Sequence, residues 1–364
     1  MIKYYTPLLI IFISIFSGNI YPQLSLSTKI DNYYDDNIYN NSYKMSDYIN
    51  SFSLSTSYDF ESEINNLQLY YINNLSYFQK NIFKSSNSHK FGIVNTLFIS
   101  DAENPLNIGV NYSFRKNRDD YKLFDFNQLS GYANYRHFFN DRDFLLFGYL
   151  FNKNTYTNLS MFSFYENKGF IKYSSTFDTK TTLMIGTEAY FKNYVEKINE
   201  LDNANNSSQI SAYLNLAQSL SDNTGIAGYI FYRNNMENGT RYLYSDSLIY
   251  YEEEIFNDIY SHEGYEAGIS LTQIVVPSIL ARLEISYDEK NFSNLPAATI
   301  DGYELSVNRK DNQFSFGFEL QFNLHNLING LTLTGTYNYI SNNSNDEFYH
   351  YDNQIFMVTF GWGL

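Results

Sequence analysis

The sequence contains no cysteine. A disulfide framework, a thiolate zinc site, a cysteine nucleophile and a lipid-modified N-terminal cysteine are therefore excluded. Positive charge is scarce: 24 Lys and Arg stand against 39 Asp and Glu, a formal net charge of −15. No basic face is available to offset phosphate repulsion, so nucleic acid is not an expected partner. Charged residues make up only 17 % of the chain, against about 25 % in soluble domains. Beyond the first residues there is no run of about 20 apolar residues, so helical membrane spans are excluded. Tryptophan occurs once and proline five times.

What is abundant is aromatic side chains, 19 % of the chain, with 37 Tyr and 31 Phe. The mean hydropathy is nevertheless polar, at −0.38. High aromatic content with polar average hydropathy fits a transmembrane β-barrel, where only alternate strand residues face lipid.

The residues show that alternation directly. In the last stretch Phe356, Val358, Phe360, Trp362 and Leu364 fall on one side of an extended strand. Thr359, Gly361 and Gly363 fall on the other, with Ile355 and Met357 as apolar exceptions there. A soluble protein rarely ends on such an edge, because it templates aggregation. A membrane barrel needs one, because the final strand must pair with the first and close the sheet. The same two-residue rhythm recurs at Phe52–Phe60, Leu106–Phe114, Ala281–Tyr287 and Phe314–Phe322, without helical i, i+3, i+4 spacing.

Counting these segments predicts an all-β fold, a single antiparallel transmembrane barrel of about 16 strands, with 14 to 18 as bounds. The connections alternate between short polar links, such as Glu61–Asn65 and Asn140–Arg142, and longer ones. The longer ones fall near Asn32–Ser46, Gln79–Ser88, Asn199–Asn206, Asn234–Glu263, Lys290–Asp311 and Ser341–Asp352. Short periplasmic turns and long extracellular loops are the usual arrangement. An interior of this width holds water or a plug, and the longest link, Asn234–Glu263, is the candidate to fold inward.

Residues 1–22 read as a secretory signal, with Lys3 as the positive segment and Leu8–Phe16 as an apolar core too short to span a bilayer. Residues 23–364 are then the barrel domain. The expected location is the outer membrane of a Gram-negative bacterium, at the cell surface, with membrane lipid and the barrel-assembly machinery as partners.

No catalytic pattern is present: there is no G-x-S-x-G, no H-E-x-x-H, no phosphate-cradling loop and no calcium loop. Neither an enzyme nor a cofactor or metal site is expected. His89, His137, His262, His325 and His350 are scattered at turns and strand ends and read as ordinary rim or loop residues. The acidic stretch Tyr250–Asp258 reads as a solvated loop, with a divalent ion or a sugar as its alternative ligands.

Charges at predicted inward positions carry more. They are Arg115, Arg136, Lys172, Glu188, Lys192, Arg233, Glu266, Arg282, Glu284, Asp288 and Glu319. A charge on the lipid face costs about 2–4 kcal/mol at the midplane, so these side chains belong in the lumen. There they either stabilise the wall as ion pairs or act on passing solutes.

The start of the barrel domain resembles the type-2 outer-membrane β-barrel porins, a family associated with exopolysaccharide export. The resemblance is carried by Tyr34-Asp35-Asp36-Asn37-Ile38-Tyr39, then Ser46-Asp47-Tyr48-Ile49, then the serine-rich segment ending Ser57-Tyr58-Asp59. It covers about 30 residues and implies a role in passage or assembly of surface polysaccharide. The expected function is therefore a porin-like channel for polar solutes or polysaccharide. The alternative is a structural barrel whose outer loops bind sugars, ions or protein partners.

Overall fold

The computed structural model describes residues 21–62, 65–99, 104–197, 205–237, 239–241 and 258–364. The expected signal segment lies almost wholly outside them, as does most of the acidic stretch Tyr250–Asp258.

Sixteen strands follow in chain order: β1 (Tyr21–Asp35), β2 (Asp47–Glu61), β3 (Asn65–Phe78), β4 (Ser86–Phe98), β5 (Pro105–Asn117), β6 (Phe126–Phe138), β7 (Asp143–Tyr156) and β8 (Phe164–Thr176). They continue as β9 (Thr181–Tyr194), β10 (Asn206–Ser221), β11 (Thr224–Glu237), β12 (Glu263–Val276), β13 (Ile279–Ala298), β14 (Glu304–Asn323), β15 (Leu331–Ser344) and β16 (Tyr351–Gly363). Each pairs antiparallel with its chain neighbours, and β16 pairs with β1, so the sheet is a closed barrel. Closure leaves no unpaired edge, which the hydrocarbon of a bilayer would not tolerate.

The two-residue rhythm sorts side chains cleanly. Ile30, Phe52, Val110, Phe147, Ile171, Ile230, Ile269, Ile285, Phe318, Phe356 and Phe360 are all exposed and lie on one face of the sheet. An apolar face exposed all round a closed barrel is its lipid surface. The closing strand follows the same rule. Phe356, Val358 and Phe360 face outward, and Trp362, on the same side, donates Nε1–H to the Asn329 carbonyl at 3.1 Å.

The stretch Lys290–Asp311, expected as a long loop, is instead the far end of a hairpin. β13 and β14 each run 20 residues. Pro296 sits at a register shift, which lets the ladder continue around a residue that cannot donate. The reversal is made near Gly302, at φ 82°, after Asp301. The D-G pair is the turn signal, and the alternation beyond it is strand.

The short-turn end carries the described ends of the chain: Leu364 N–H donates to the Leu26 carbonyl at 2.9 Å. At the opposite end, segments 36–46, 79–85, 118–125 and 157–163 fold together. Three of them contain 3-10 turns, at Ile82–Lys84, Asp119–Phe124 and Ser160–Phe162. They bring Ile38, Tyr39, Phe78, Tyr121, Phe124 and Phe162 into one buried apolar cluster with Ile49. The apolar core of this protein is thus at the mouth of the barrel rather than in its wall.

Candidate functional site

The ladder register places every predicted lumen charge. Arg115 pairs with Phe126, which shares a face with Arg136 ten residues along β6. Arg136 and Lys172 both pair with Leu146. Glu188 pairs with Phe170 and with Ser211, and Ser211 pairs with Arg233. Phe231 pairs with Glu266, Glu266 with Asp288, and Arg282 with Glu319. Cross-strand partners share a face, and so do alternate residues along a strand. Arg115, Arg136, Lys172, Glu188, Lys192, Arg233, Glu266, Arg282, Glu284, Asp288 and Glu319 therefore all lie on the face opposite the lipid surface.

They divide into two groups by what they touch. Glu188 is buried between Lys168 at 2.8 Å and Lys172 at 3.3 Å and accepts from the Tyr190 hydroxyl. Glu266 accepts from Tyr229 at 2.5 Å, and Asp288 pairs with Lys290 at 3.4 Å. Lys192 is ion-paired with Asp258, the last residue of the acidic stretch. Arg115 reaches the Phe124 carbonyl at 3.4 Å and stacks on Phe126. These are wall and mouth contacts.

By contrast, Arg136, Arg282, Glu284 and Glu319 enter no ion pair among the described residues. Together with Lys172 they lie toward the short-turn end. In a ring of sixteen strands, strands eight apart face each other. Arg136 on β6 thus stands across the lumen from Glu319 on β14, and Lys172 on β8 is near that basic wall. Arg282 and Glu284 on β13 extend the acidic side. The result is a band with positive charge on one wall and mixed, mainly negative charge on the other.

The mouth is held by side-chain clips. Asp47, fully buried, accepts from the N–H groups of Tyr48 (2.7 Å), Lys80 (2.9 Å) and Asn81 (2.7 Å) and from the Asn81 amide at 2.9 Å. Burial raises the Asp47 carboxyl, but the donors of Lys80 and Asn81 outweigh it, and the net shift is downward. Lys84 donates to the Ile38 carbonyl at 2.9 Å and lies over the Tyr39 ring, 4.4 Å from its centre. Tyr121 donates its hydroxyl to that of Tyr39 at 3.1 Å, tying segment 118–125 to segment 36–46.

His262, expected as an ordinary rim residue, is buried in this mouth, with its Nε2 3.0 Å from an Arg233 Nη1. Burial first, and then the cations Arg233, Lys290 and Arg309, hold its pKa well below the usual histidine value. The ring is neutral and accepts from Arg233.

A second set of clips spans the seam between β1 and β16, and it is built from the Asp35-Asp36-Asn37 segment. Asp36 N–H donates to the Gln354 carbonyl at 3.1 Å, and Gln354 N–H donates back to Asp36 Oδ1 at 2.7 Å. Asn37, fully buried, donates to the carbonyls of Asn41 (2.7 Å) and Asp352 (3.3 Å). Asn353 donates to the Asn37 carbonyl at 3.2 Å and to Asn40 Oδ1 at 2.9 Å. Deeper in the lumen Thr359 donates to Asp31 at 2.5 Å across the same seam.

The lumen wall also carries a joint that sequence reasoning missed. An inward ring leans over an inward glycine directly across the ladder: Tyr70 over Gly92, Tyr132 over Gly109, Phe170 over Gly148, Tyr213 over Gly186 and Tyr229 over Gly268. A Cβ at any of these glycines would overlap the ring. Each glycine is a slot for its neighbour's ring. The signal is an inward aromatic opposite an inward glycine, and it becomes visible only once the register is known.

A closed antiparallel sheet with an apolar outside and a charged, hydrogen-bonded inside defines an outer-membrane β-barrel. Comparison with protein families places the chain further. The model of the surface lipoprotein assembly modifier family matches residues 121–363, well over half the chain, and the chain belongs to that family. The segment carrying the porin resemblance precedes the matched region. A search of curated proteins finds no match.

Among solved structures, the chain is similar to Acinetobacter baumannii OccAB1, with TM-score 0.57 and 10 % identity, covering 96 % of this chain and 98 % of that one. It is similar to the outer membrane protein OprD of Pseudomonas aeruginosa, with TM-score 0.53 and 9 % identity, covering 96 % of each. It is similar also to the Pseudomonas aeruginosa outer membrane protein OpdK, with TM-score 0.54 and 9 % identity, covering 94 % of this chain and 99 % of that one. Identities this low speak to the shared barrel fold.

Proposed function

We propose that this chain is a non-enzymatic outer-membrane channel of porin type, passing polar solutes along a charged lumen wall. The observation that supports it is the band near the short-turn end, where Arg136 stands across from Arg282, Glu284 and Glu319, none of them in an ion pair among the described residues. Charges left outside ion pairs in a lumen interact with water and solute rather than with the wall. The clustered segments at the mouth narrow the path, so unit conductance is small for a sixteen-strand barrel. The N-terminal resemblance to exopolysaccharide-associated porins supports polysaccharide as one class of solute. Residues 1–22 act as the export signal and 23–364 as the channel.

Planar-bilayer recording of the purified, folded protein tests this reading. Discrete conductance steps are expected, and Glu284→Lys with Glu319→Lys shifts the reversal potential toward anion preference. Repeated insertions without conductance would sink the channel.

The family's description supports a second reading, in which the barrel takes part in assembling lipoproteins at the cell surface. Protease shaving of cells with and without the gene separates the two. Loss of accessible surface lipoproteins in the deletion, restored by the intact chain, is the expected result. Unchanged shaving patterns count against it.

A further inference from the structure

We infer that the mouth of the barrel binds a neutral pyranose ring of a glycan, in a cavity between β6–β9 and the inward-folded segments. The cavity measures about 220 Å³. That is below the range of drug-sized sites and sufficient for a single sugar ring. Its walls are Phe126, Tyr156, Phe162, Phe164 and Tyr194. Phe162 is packed into the buried cluster and Phe164 and Tyr194 carry the Lys192 ammonium, so the tilted pair Phe126 and Tyr156 supplies the aromatic surface for the apolar C–H face of a pyranose.

The polar groups among these rings are amides. Gln128 Oε1 accepts from Ser113 at 3.5 Å, which leaves its amide N–H groups to donate into the cavity. Asn154 Oδ1 is buried and accepts no hydrogen bond among the described residues. A buried acceptor without a donor costs about 1–3 kcal/mol, so such an atom is kept only where something relieves it. A sugar hydroxyl is a donor of the right kind and reach.

Charge argues for a neutral ligand. Lys192 and Asp258 line the same cavity but are ion-paired to each other, and the Lys192 side chain is buried. The Lys192 ammonium is also held 4.3 Å from the Phe164 ring centre and 4.7 Å from that of Tyr194. Neither charge is left to attract an ion.

The same set of parts recurs on the facing wall. A cavity of about 140 Å³ lies between segment 36–46 and β13–β16. There Arg309 is bonded to Asp311 and stacked between Phe292 (4.3 Å) and Tyr349 (3.3 Å). Asn342 Oδ1, lining that cavity, is again buried and accepts no hydrogen bond among the described residues. Asn154 on β7 and Asn342 on β15 are eight strands apart, so the two cavities face each other across the mouth. A glycan chain crossing the mouth meets one sugar site on each side.

The test is calorimetric titration of the detergent-folded full chain, which holds whether or not the barrel conducts. The probes are maltotriose and triacetylchitotriose as free sugars, and the lipid-free O-polysaccharide of the source bacterium as a surface polysaccharide. Binding of any of the three is expected, and which one binds separates a diffusible sugar from a surface glycan. Asn154→Leu lowers the affinity by about tenfold or more, the loss of one buried hydrogen bond. Asn154→Asp, which keeps an acceptor, stays within about threefold. Heat-modifiable electrophoretic migration establishes that each variant is folded, and Asn342→Leu provides the same readout on the other side. No heat with any neutral probe overturns the inference. So does wild-type affinity in both leucine variants, or a preference for polygalacturonate over the neutral sugars.

Discussion

At the scale of single residues, Asp47 shows how one side chain organises a mouth segment. Its carboxylate gathers three backbone N–H groups and one amide, and no solvent reaches it. Asp47→Ala leaves those donors buried and unsatisfied and destabilises segment 79–85 by about 1–3 kcal/mol. Hydrogen exchange at the Lys80 and Asn81 amides measures the loss. The same clip is sensitive to acid in a definite direction. The folded carboxyl titrates below its ordinary value of 3.8, so its contribution is complete above that value. It is lost as pH falls further, through the folded pKa. Protection of the two amides therefore persists at about pH 5 and collapses in stronger acid. In the sequence, Ser46-Asp47 was readable as the start of a strand, but its partners at positions 80 and 81 belong to the next connection. No local pattern announces them.

At the scale of elements, the wall is stitched by rings set into glycine slots. Gly109→Val drives a branched side chain into Tyr132, which is packed over that glycine across β5 and β6. Overpacking of this kind costs about 1–3 kcal/mol. Gly131, on the outward face of β6, has only a backbone oxygen at 3.9 Å from a built Cβ, and serves as the control. The expected result is a lower heat-modifiability temperature for Gly109→Val and little change for Gly131→Ala. An equal effect at both sites would remove the slot from the account. The strands themselves were legible because lipid imposes a strict two-residue rhythm on one face, as in Phe314–Phe322. Parity alone carries Arg282, Glu284 and Asp288 to one side of β13. The connections were less so. Lys290–Asp311 continues the ladder beyond the lipid belt, where no apolar face marks the alternation. Segments 118–125 and 157–163 look like ordinary polar links until their rings, Tyr121, Phe124 and Phe162, are seen buried together. The expected inward fold of Asn234–Glu263 falls largely outside the described residues, and the observed cluster uses other segments.

At the scale of the whole molecule, the barrel is closed by contacts between its two most distant parts. Asn37 reaches the carbonyl of Asp352, 315 positions along the chain, and Asp36 Oδ1 takes the N–H of Gln354, 318 positions along. Asn37→Leu removes the amide that holds this corner and costs about 1–3 kcal/mol. Because the corner can form only when β16 has arrived, folding into bilayers slows as well, while Asn66→Leu within the β2–β3 hairpin leaves the rate nearly unchanged. Equal rates in the two variants would argue that the seam forms late without limiting the process. The seam also sets an order of events. Gln354 is synthesised 318 positions after Asp36, so until it arrives the opening strand waits with its hydrogen-bonding edge unanswered. Whatever accompanies the chain to the membrane must shield that edge until β16 is delivered to it.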